Sequence, residues 1–214
     1  MVRVKICGIT NLEDALASFL YGADAIGFVF YKKSPRYISV RKAANISAIL
    51  PKKILRVGVF VDETAGRVKK VASACRLDLL QFHGNESPAY CRKFKGYKVI
   101  KAFRVGKRID LDEIRRYKTY AYLFDAYSKS NPGGTGKKFN WKLLAQTAKM
   151  KRIVFLSGGL NSGNVTKAVK LLKPDWVDAS SLLESRPGKK EHRKIKEFID
   201  KCNDLFKNEK NFTG

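Results

Sequence analysis

Three side chains able to move a proton stand where apolar runs of this chain end. Cys7 follows Val2 to Ile6 and precedes Gly8, His83 follows Asp78 to Phe82, and Asp125 follows Ala121 to Phe124. A cysteine acts as a base only as the thiolate, which requires a pKa below its reference of about 8.5, and nearby cations such as Lys5 can lower it. Failing that, a buried free cysteine is a small hydrophobe. Asp125 is a candidate acid or base, or the ion-pair partner of an inward Lys or Arg. His83 is a participant or a hydrogen-bonded core residue. The other histidine is His192, and Cys7, Cys75, Cys91 and Cys202 lie far apart with no CxxC pair, so no metal site is expected. A reducing compartment would keep all four as thiols.

A second group of residues suits anions. Phe155-Leu156-Ser157-Gly158-Gly159-Leu160-Asn161 ends one apolar run and opens a helix. Its glycines allow close backbone approach and its N–H groups point outward, a candidate phosphate cradle or an ordinary turn. Ser180-Ser181 could add donors from the next loop. Arg36, in Ser34-Pro35-Arg36-Tyr37, could grip a carboxylate with its two-pronged guanidinium or serve as a surface charge. The glycine-rich stretch Tyr127 to Lys138 could close over a ligand or simply connect.

These residues need elements that bring them together. Strand candidates are Val2 to Ile6, Ala25 to Phe30, Leu55 to Val61, Asp78 to Phe82, Lys98 to Phe103, Ala121 to Phe124, Ile153 to Leu156 and Trp176 to Ala179. Helical patterns alternate with them at about Leu12–Tyr21, Val40–Ile49, Thr64–Cys75, Ser87–Lys95, Leu111–Tyr117, Trp141–Lys149, Ser162–Leu172 and Lys189–Phe206. Eight units in 214 residues leave about 27 each, near the minimum for a strand and a crossover helix. The expected fold is α/β, a single-domain (β/α)8 TIM barrel over residues 1–206, with 207–214 a frayed tail. An open doubly wound sheet is the rival, but no GxGxxG follows the first strand. Alternation along barrel strands turns Arg3, Lys5 and Cys7 inward with Gln81 and His83, and brings Asp125 to the C-terminal mouth. Cys7, His83 and Asp125 then share one opening.

The chain carries 44 Lys plus Arg against 19 Asp plus Glu, a net charge of +25, which favours anionic substrates or partners. Residues Tyr31 to Arg56 hold eight cations and no carboxylate, and Ala126 to Pro174 hold no acid. These stretches are a substrate-drawing field, a nucleic-acid surface or solvated helix faces. Without an arginine-rich tail, aromatic RNA-binding consensus or zinc finger, specific nucleic-acid binding is not expected. No apolar stretch approaches the ~18 residues of a membrane helix, and the opening residues lack a secretory or transit pattern, so a cytoplasmic location is expected.

As an ordered set, the motifs resemble the phosphoribosylanthranilate isomerase family of tryptophan biosynthesis from Val4 to about Phe198. They are Lys5-Ile6-Cys7-Gly8-Ile9-Thr10, Gly27-Phe28-Val29-Phe30 with Ser34-Pro35-Arg36-Tyr37, Val57-Gly58-Val59-Phe60-Val61, Gln81-Phe82-His83-Gly84, Gly133-Gly134-Thr135-Gly136, Leu156-Ser157-Gly158-Gly159-Leu160 and Asp178-Ala179-Ser180-Ser181. The resemblance implies Cys7 as general base, Asp125 as general acid and Arg36 as a contact to the anthranilate carboxylate. It also implies a substrate site drawing on His83, Gly158, Gly159, Asp178, Ser180 and Ser181. The implied reaction is the cofactor-free Amadori rearrangement of N-(5-phosphoribosyl)anthranilate, a small anionic phosphorylated substrate, by a monomer or homodimer. Three positions depart from the family pattern: Leu182 where glycine is usual, Ala126 where a small polar residue is usual, and Asn140 where aspartate is common. Leu182 puts a phosphate donor or its φ angle in question. Two alternatives compete: the histidine-biosynthesis phosphoribosyl isomerases, whose paired aspartates Cys7 argues against, and a catalytically lapsed barrel that binds anions.

Overall fold

The structure, a computed structural model, describes residues 1–105, 109–125, 144, 147 and 152–210, with side chains to 205. Eight parallel strands close into a barrel in chain order. They are β1 (Arg3–Cys7), β2 (Ala25–Val29), β3 (Leu55–Phe60), β4 (Leu79–Phe82), β5 (Lys98–Arg104), β6 (Ala121–Asp125), β7 (Ile153–Ser157) and β8 (Trp176–Ala179). The described helices are α1 (Leu12–Leu20), α2 (Val40–Ile49), α3 (Ala65–Ala74), α4 (Pro88–Cys91), α5 (Leu111–Arg115), α6 (Val165–Leu172) and α7 (His192–Lys210). The expected TIM barrel is therefore present. Among the described residues no helix is long and apolar enough to cross a membrane.

Strand alternation sorts the core into two compartments. Val4, Ile6, Leu80, Phe82, Tyr122 and Phe124 lie in the layer between strands and helices. Ala25, Val57, Leu79, Ala121, Leu123, Phe155 and Trp176 fill the barrel. The facing expected for β1, β4 and β6 holds. Phe155 stacks on Trp176 at 4.8 Å, and the Arg3 guanidinium lies 5.3 Å from the Trp176 ring. Burying a large apolar side chain stabilises by ~1.5–3 kcal/mol, so the barrel is a filled core and chemistry is confined to its C-terminal mouth. At the other end one device recurs. Asp24, Asp78 and Asp175 each precede a strand and accept the N–H of Val4, Arg56 and Val154 on the neighbouring strand, at 2.8, 2.7 and 2.8 Å.

Several boundaries differ from the sequence expectation. The last helix begins at His192, because Lys189 and Lys190 form β10, which pairs antiparallel with β9 (Glu184–Arg186). Pro187-Gly188 makes the turn, with Gly188 at φ +81°. Helix α4 stops at Cys91 and continues as tighter turns, Lys93 N–H to Tyr90 at 3.0 Å and Phe94 N–H to Cys91 at 3.3 Å. Helix α6 begins at Val165 because the Asn164 side chain accepts the Asn161 N–H at 2.9 Å and uses 161–164 as a turn. Ala126, the Tyr127–Lys138 loop with Gly133-Gly134-Thr135-Gly136, Asn140 and the expected Trp141–Lys149 helix lie outside the described residues, apart from Leu144 and Thr147.

The β9–β10 hairpin is tied to α1 through Asp14, whose side chain has no solvent exposure. Its carboxylate accepts the Lys190 N–H at 2.8 Å and the Asn11 amide at 2.8 Å, and meets His192 Nε2 at 2.9 Å. Burial pushes the Asp14 carboxyl up, but these donors outweigh it and hold its pKa below the usual value. Its stabilisation is therefore present above the unfolded pKa of about 3.9 and is lost as pH falls through the lower folded value. Asp14→Ala should cost about 1–3 kcal/mol at neutral pH, or ~2–4 °C in Tm per kcal/mol for a domain of this size. Thermal melts by circular dichroism should show the deficit shrinking toward pH 3. An equal deficit at both pH values would count against this account.

Candidate active site

Cys7 ends β1 opposite Gly27 of β2. A Cβ at Gly27 would fall 2.7 Å from Cys7 Sγ, so glycine there makes room for the thiol. The sulfur is nearly buried. Burial pushes the thiol pKa up, as does Asp178, while Lys5 and Lys190 pull it down; the net displacement is upward. Lys5 has no exposure and its Nζ lies 2.7 Å from Asp178 Oδ1. Ser157 Oγ donates to the other oxygen of Asp178 at 3.3 Å.

Asp125 ends β6 at the same rim as Cys7, since the strands are parallel. His83 follows β4, and its Nε2 lies 3.2 Å from Asp125 Oδ2. Its Nδ1 lies 3.2 Å from Gln81 Nε2. The structure thus joins His83 and Asp125 directly, both partly exposed to the mouth. The loop beneath His83 is fixed by a buried pair, Lys101 Nζ to Glu86 Oε2 at 2.9 Å, with Lys101 also donating to Gly84 O at 2.8 Å.

Arg36 crosses the other side of the mouth. A Cβ at Gly8, which has φ +79°, would meet Arg36 Cδ at 2.7 Å and Ser180 Oγ at 3.0 Å. The guanidinium prongs are turned onto an internal carboxylate: Nε and Nη2 donate to Glu184 Oε1 and Oε2 at 2.8 and 2.7 Å. Glu184 also holds Lys190 Nζ at 2.9 Å. Lys190 in turn donates to Ser180 O at 3.2 Å, and Ser180 Oγ donates to the Cys7 carbonyl at 3.0 Å. Burial lowers the Lys190 pKa despite Glu184. For Glu184, burial raises the pKa, but Arg36 and Lys190 outweigh it and the net shift is downward.

The anion-handling segments lie between these groups and the outer loops. Gly158 and Gly159 both adopt positive φ, +93° and +68°, a backbone that glycine accepts without strain and that exposes successive N–H groups. Ser180 follows β8, and Ser181 begins a 3-10 turn, Ser181–Leu183. Leu182 is not among the positive-φ residues, so leucine meets no backbone strain where the family pattern has glycine. Asp178 is engaged below them with Lys5. A carboxylate offers no donor to a phosphate, so its contribution here is to hold that lysine.

A model of the family described as N-(5'-phosphoribosyl)anthranilate (PRA) isomerase matches residues 4–201. The chain belongs to this isomerase family. Membership makes it an isomerase of tryptophan biosynthesis, as its motifs imply. A relative from Geobacter sulfurreducens, N-(5'-phosphoribosyl)anthranilate isomerase, is 50% identical over 199 residues, 93% of this chain and 97% of its own length. The crystal structure of the Thermotoga maritima phosphoribosyl anthranilate isomerase is similar with a TM-score of 0.87 and 46% identity, covering 95% of this chain and all of that one. Another isomerase structure, in complex with reduced 1-(o-carboxyphenylamino)-1-deoxyribulose 5-phosphate, is similar with a TM-score of 0.84 and 44% identity, covering 95% and 100%.

Sequence reasoning passed over Glu184 and Lys190, which lie 148 residues from Arg36 and 176 from Asp14 along the chain. The Pro187-Gly188 turn was the one local signal for the hairpin that carries them. It also passed over a cleft of about 240 Å³ between the loops after β2 and β3, lined by Phe30, Phe60, Lys32, Lys33 and Arg67 among others. The seat of the thiol gives a direct test. Gly27→Ala must displace Cys7 Sγ, and such overpacking costs about 1–3 kcal/mol. Displacement of a reacting group by about 1 Å can cost ~10²-fold in rate. Steady-state kinetics should show kcat lowered by up to roughly that factor, and an unchanged kcat would count against a reacting role for Cys7.

Proposed function

We propose that the chain performs the Amadori rearrangement of N-(5-phosphoribosyl)anthranilate with Cys7 as base and Asp125 as acid, without a cofactor. The observation that supports this reading is the placement of a thiol and a histidine-held carboxyl at the ends of β1 and β6, on one rim. Asp125 gives a proton to the ring oxygen of the furanose while the C1–O bond breaks and the amine lone pair forms an iminium. The iminium acidifies the C2 proton, which the Cys7 thiolate removes. That electron pair forms the C1–C2 double bond and neutralises the nitrogen. The enolamine then takes a proton at C1 and loses the one on its C2 hydroxyl, giving the ketose. Each positioned acid or base is typically worth ~10²–10⁴ in rate.

The substrate's two anionic ends set its orientation. Gly158, Gly159, Ser180 and Ser181 are assigned to the phosphate, in keeping with barrels that bind phosphate after the seventh and eighth strands. The phosphorylated ligand in the similar complex supports a phosphate-bearing substrate. Arg36 is assigned to the substrate carboxylate through Nη1, the nitrogen Glu184 does not engage, so its partner both orients it and limits it to a single prong. Lys5 and Lys190 favour the thiolate that burial disfavours. A homodimer is one arrangement this reading allows, since the Thermotoga maritima relative is described as dimeric. The absence of a membrane-crossing helix among the described residues is compatible with a cytoplasmic location.

Loss of the substrate's anthranilate-type fluorescence on adding purified protein tests the reaction directly. Cys7→Ser and Asp125→Asn should each lower kcat by ~10²–10⁴ with little change in substrate affinity, because both groups act mainly in the transition state. Near-normal turnover in either variant would overturn that residue's role. Because the thiol pKa is raised, the thiolate fraction grows with pH. Alkylation of Cys7 by iodoacetamide in the resting protein, followed by mass spectrometry, should therefore speed up from neutral into alkaline pH, and a rate already at its plateau at neutral pH would contradict the raised thiol pKa.

A further inference from the structure

We infer that Gln81 is a positioning residue that fixes the tautomer of His83 and thereby turns an N–H of the ring toward Asp125; this rests on the acid role given to Asp125 above. Gln81 is buried within β4, pointing into the barrel two residues before His83. Its Nε2 lies 3.2 Å from His83 Nδ1, and His83 Nε2 lies 3.2 Å from Asp125 Oδ2. An amide NH2 has only protons to offer, so a neutral ring facing it accepts at Nδ1 and carries its proton on Nε2. That proton points at Asp125 Oδ2. The contact thus supplies Asp125 with a fixed donor whose direction does not depend on the substrate. After transfer the same Nε2–H stabilises the carboxylate without rearrangement, the condition under which a fixed donor is most effective.

The opposite amide orientation is chemically distinguishable. Gln81 Oε1 is buried with no hydrogen-bond partner among the described residues, and rotating the amide would merely leave the NH2 in that place, so the unpaired atom does not choose between the two. Asp125 does. With Oε1 against the ring, Nδ1 would carry the proton and the Nε2 lone pair would face an ionised carboxylate oxygen at 3.2 Å. For a neutral ring, only a donor on Nε2 keeps the contact attractive when the carboxyl is ionised. A glutamine is suited to this task because it does not titrate, so its preference for one tautomer persists across pH.

The chain has two histidines, which makes the ring nitrogens of His83 directly observable. Long-range 1H–15N spectra of uniformly labelled protein, assigned with His192→Gln, should show the Nε2–H tautomer at His83 in the wild type. Gln81→Glu replaces the donor by an acceptor and should move His83 away from the wild-type Nε2–H signature. Its kcat should fall roughly tenfold or more, short of the ~10²–10⁴ expected for losing a positioned acid, with KM little changed. Gln81→Met, which lacks both amide atoms, should lose the single-tautomer signature and show an intermediate kcat. A His83 with Nδ1–H in the wild type, or a Gln81→Glu chain with the wild-type tautomer, would overturn the inference whatever the activity. Absence of isomerase activity in a wild type with the expected tautomer would instead defeat the functional reading on which the acid role rests.

Discussion

The mouth of this barrel depends on a lysine that has no access to water. Lys5 sits inside the barrel, where an isolated ammonium would be untenable, and Asp178 at 2.7 Å makes it tolerable. The two residues are register partners on β1 and β8, so the pair joins the strands that close the barrel. Replacing either partner would leave an unpaired buried charge, a change that typically costs 3–5 kcal/mol. Such a pair is weak as a source of net stability, because desolvation offsets most of its attraction. Its value lies in location: it keeps a cation two residues from Cys7 and next to a thiol that burial alone would hold protonated. Under the proposed role of Cys7, that location gives the buried charge a purpose which core packing does not.

A second layer of charge extends the same logic outward. The hairpin after β8 contributes Glu184 and Lys190, which join Arg36, Ser180 and the Cys7 carbonyl into one connected set. Two cations share one buried carboxylate, so the set retains positive charge facing the mouth while each member has a partner. The hairpin could not hold this arrangement alone, since two strands of three and two residues are too short for independent stability. Asp14, the Asn11 cap and His192 hold it against α1. The network that orients Arg36 therefore reaches back to the first helix of the chain, and its stiffness depends on elements remote from any substrate.

The barrel was legible from the chain because each unit repeats a local pattern: an apolar run, a turn and a helical stretch. The inward direction of Lys5, Cys7, Gln81 and His83 followed from a period of two anchored on flanking residues such as Val4, Ile6, Leu80 and Phe82, all found in the outer layer. Joining His83 to Asp125 required only that β4 and β6 end at one rim. The Arg36–Glu184 pair was not legible, since nothing local to Arg36 announces a partner 148 residues away. The hairpin was missed for a different reason. Strands of two or three residues show no periodicity, and Lys189, Lys190 and Glu191 read equally well as the first turn of a helix.

The two groups proposed to react are treated oppositely by the fold. Cys7 is nearly closed off from water, with glycine opposite it and lysines set to favour the charged form. Asp125 is partly exposed and meets the imidazole of His83, whose other ring nitrogen faces the buried Gln81 amide. A base that must be charged to act benefits from nearby cations, whereas an acid that must keep its proton until the sugar arrives would be impaired by them. Lys5 and Lys190 lie on the thiol side, where each lowers the pKa that burial raises. Out of the large excess of positive charge that the chain carries, these two lysines are the ones set where the proposed base would need them.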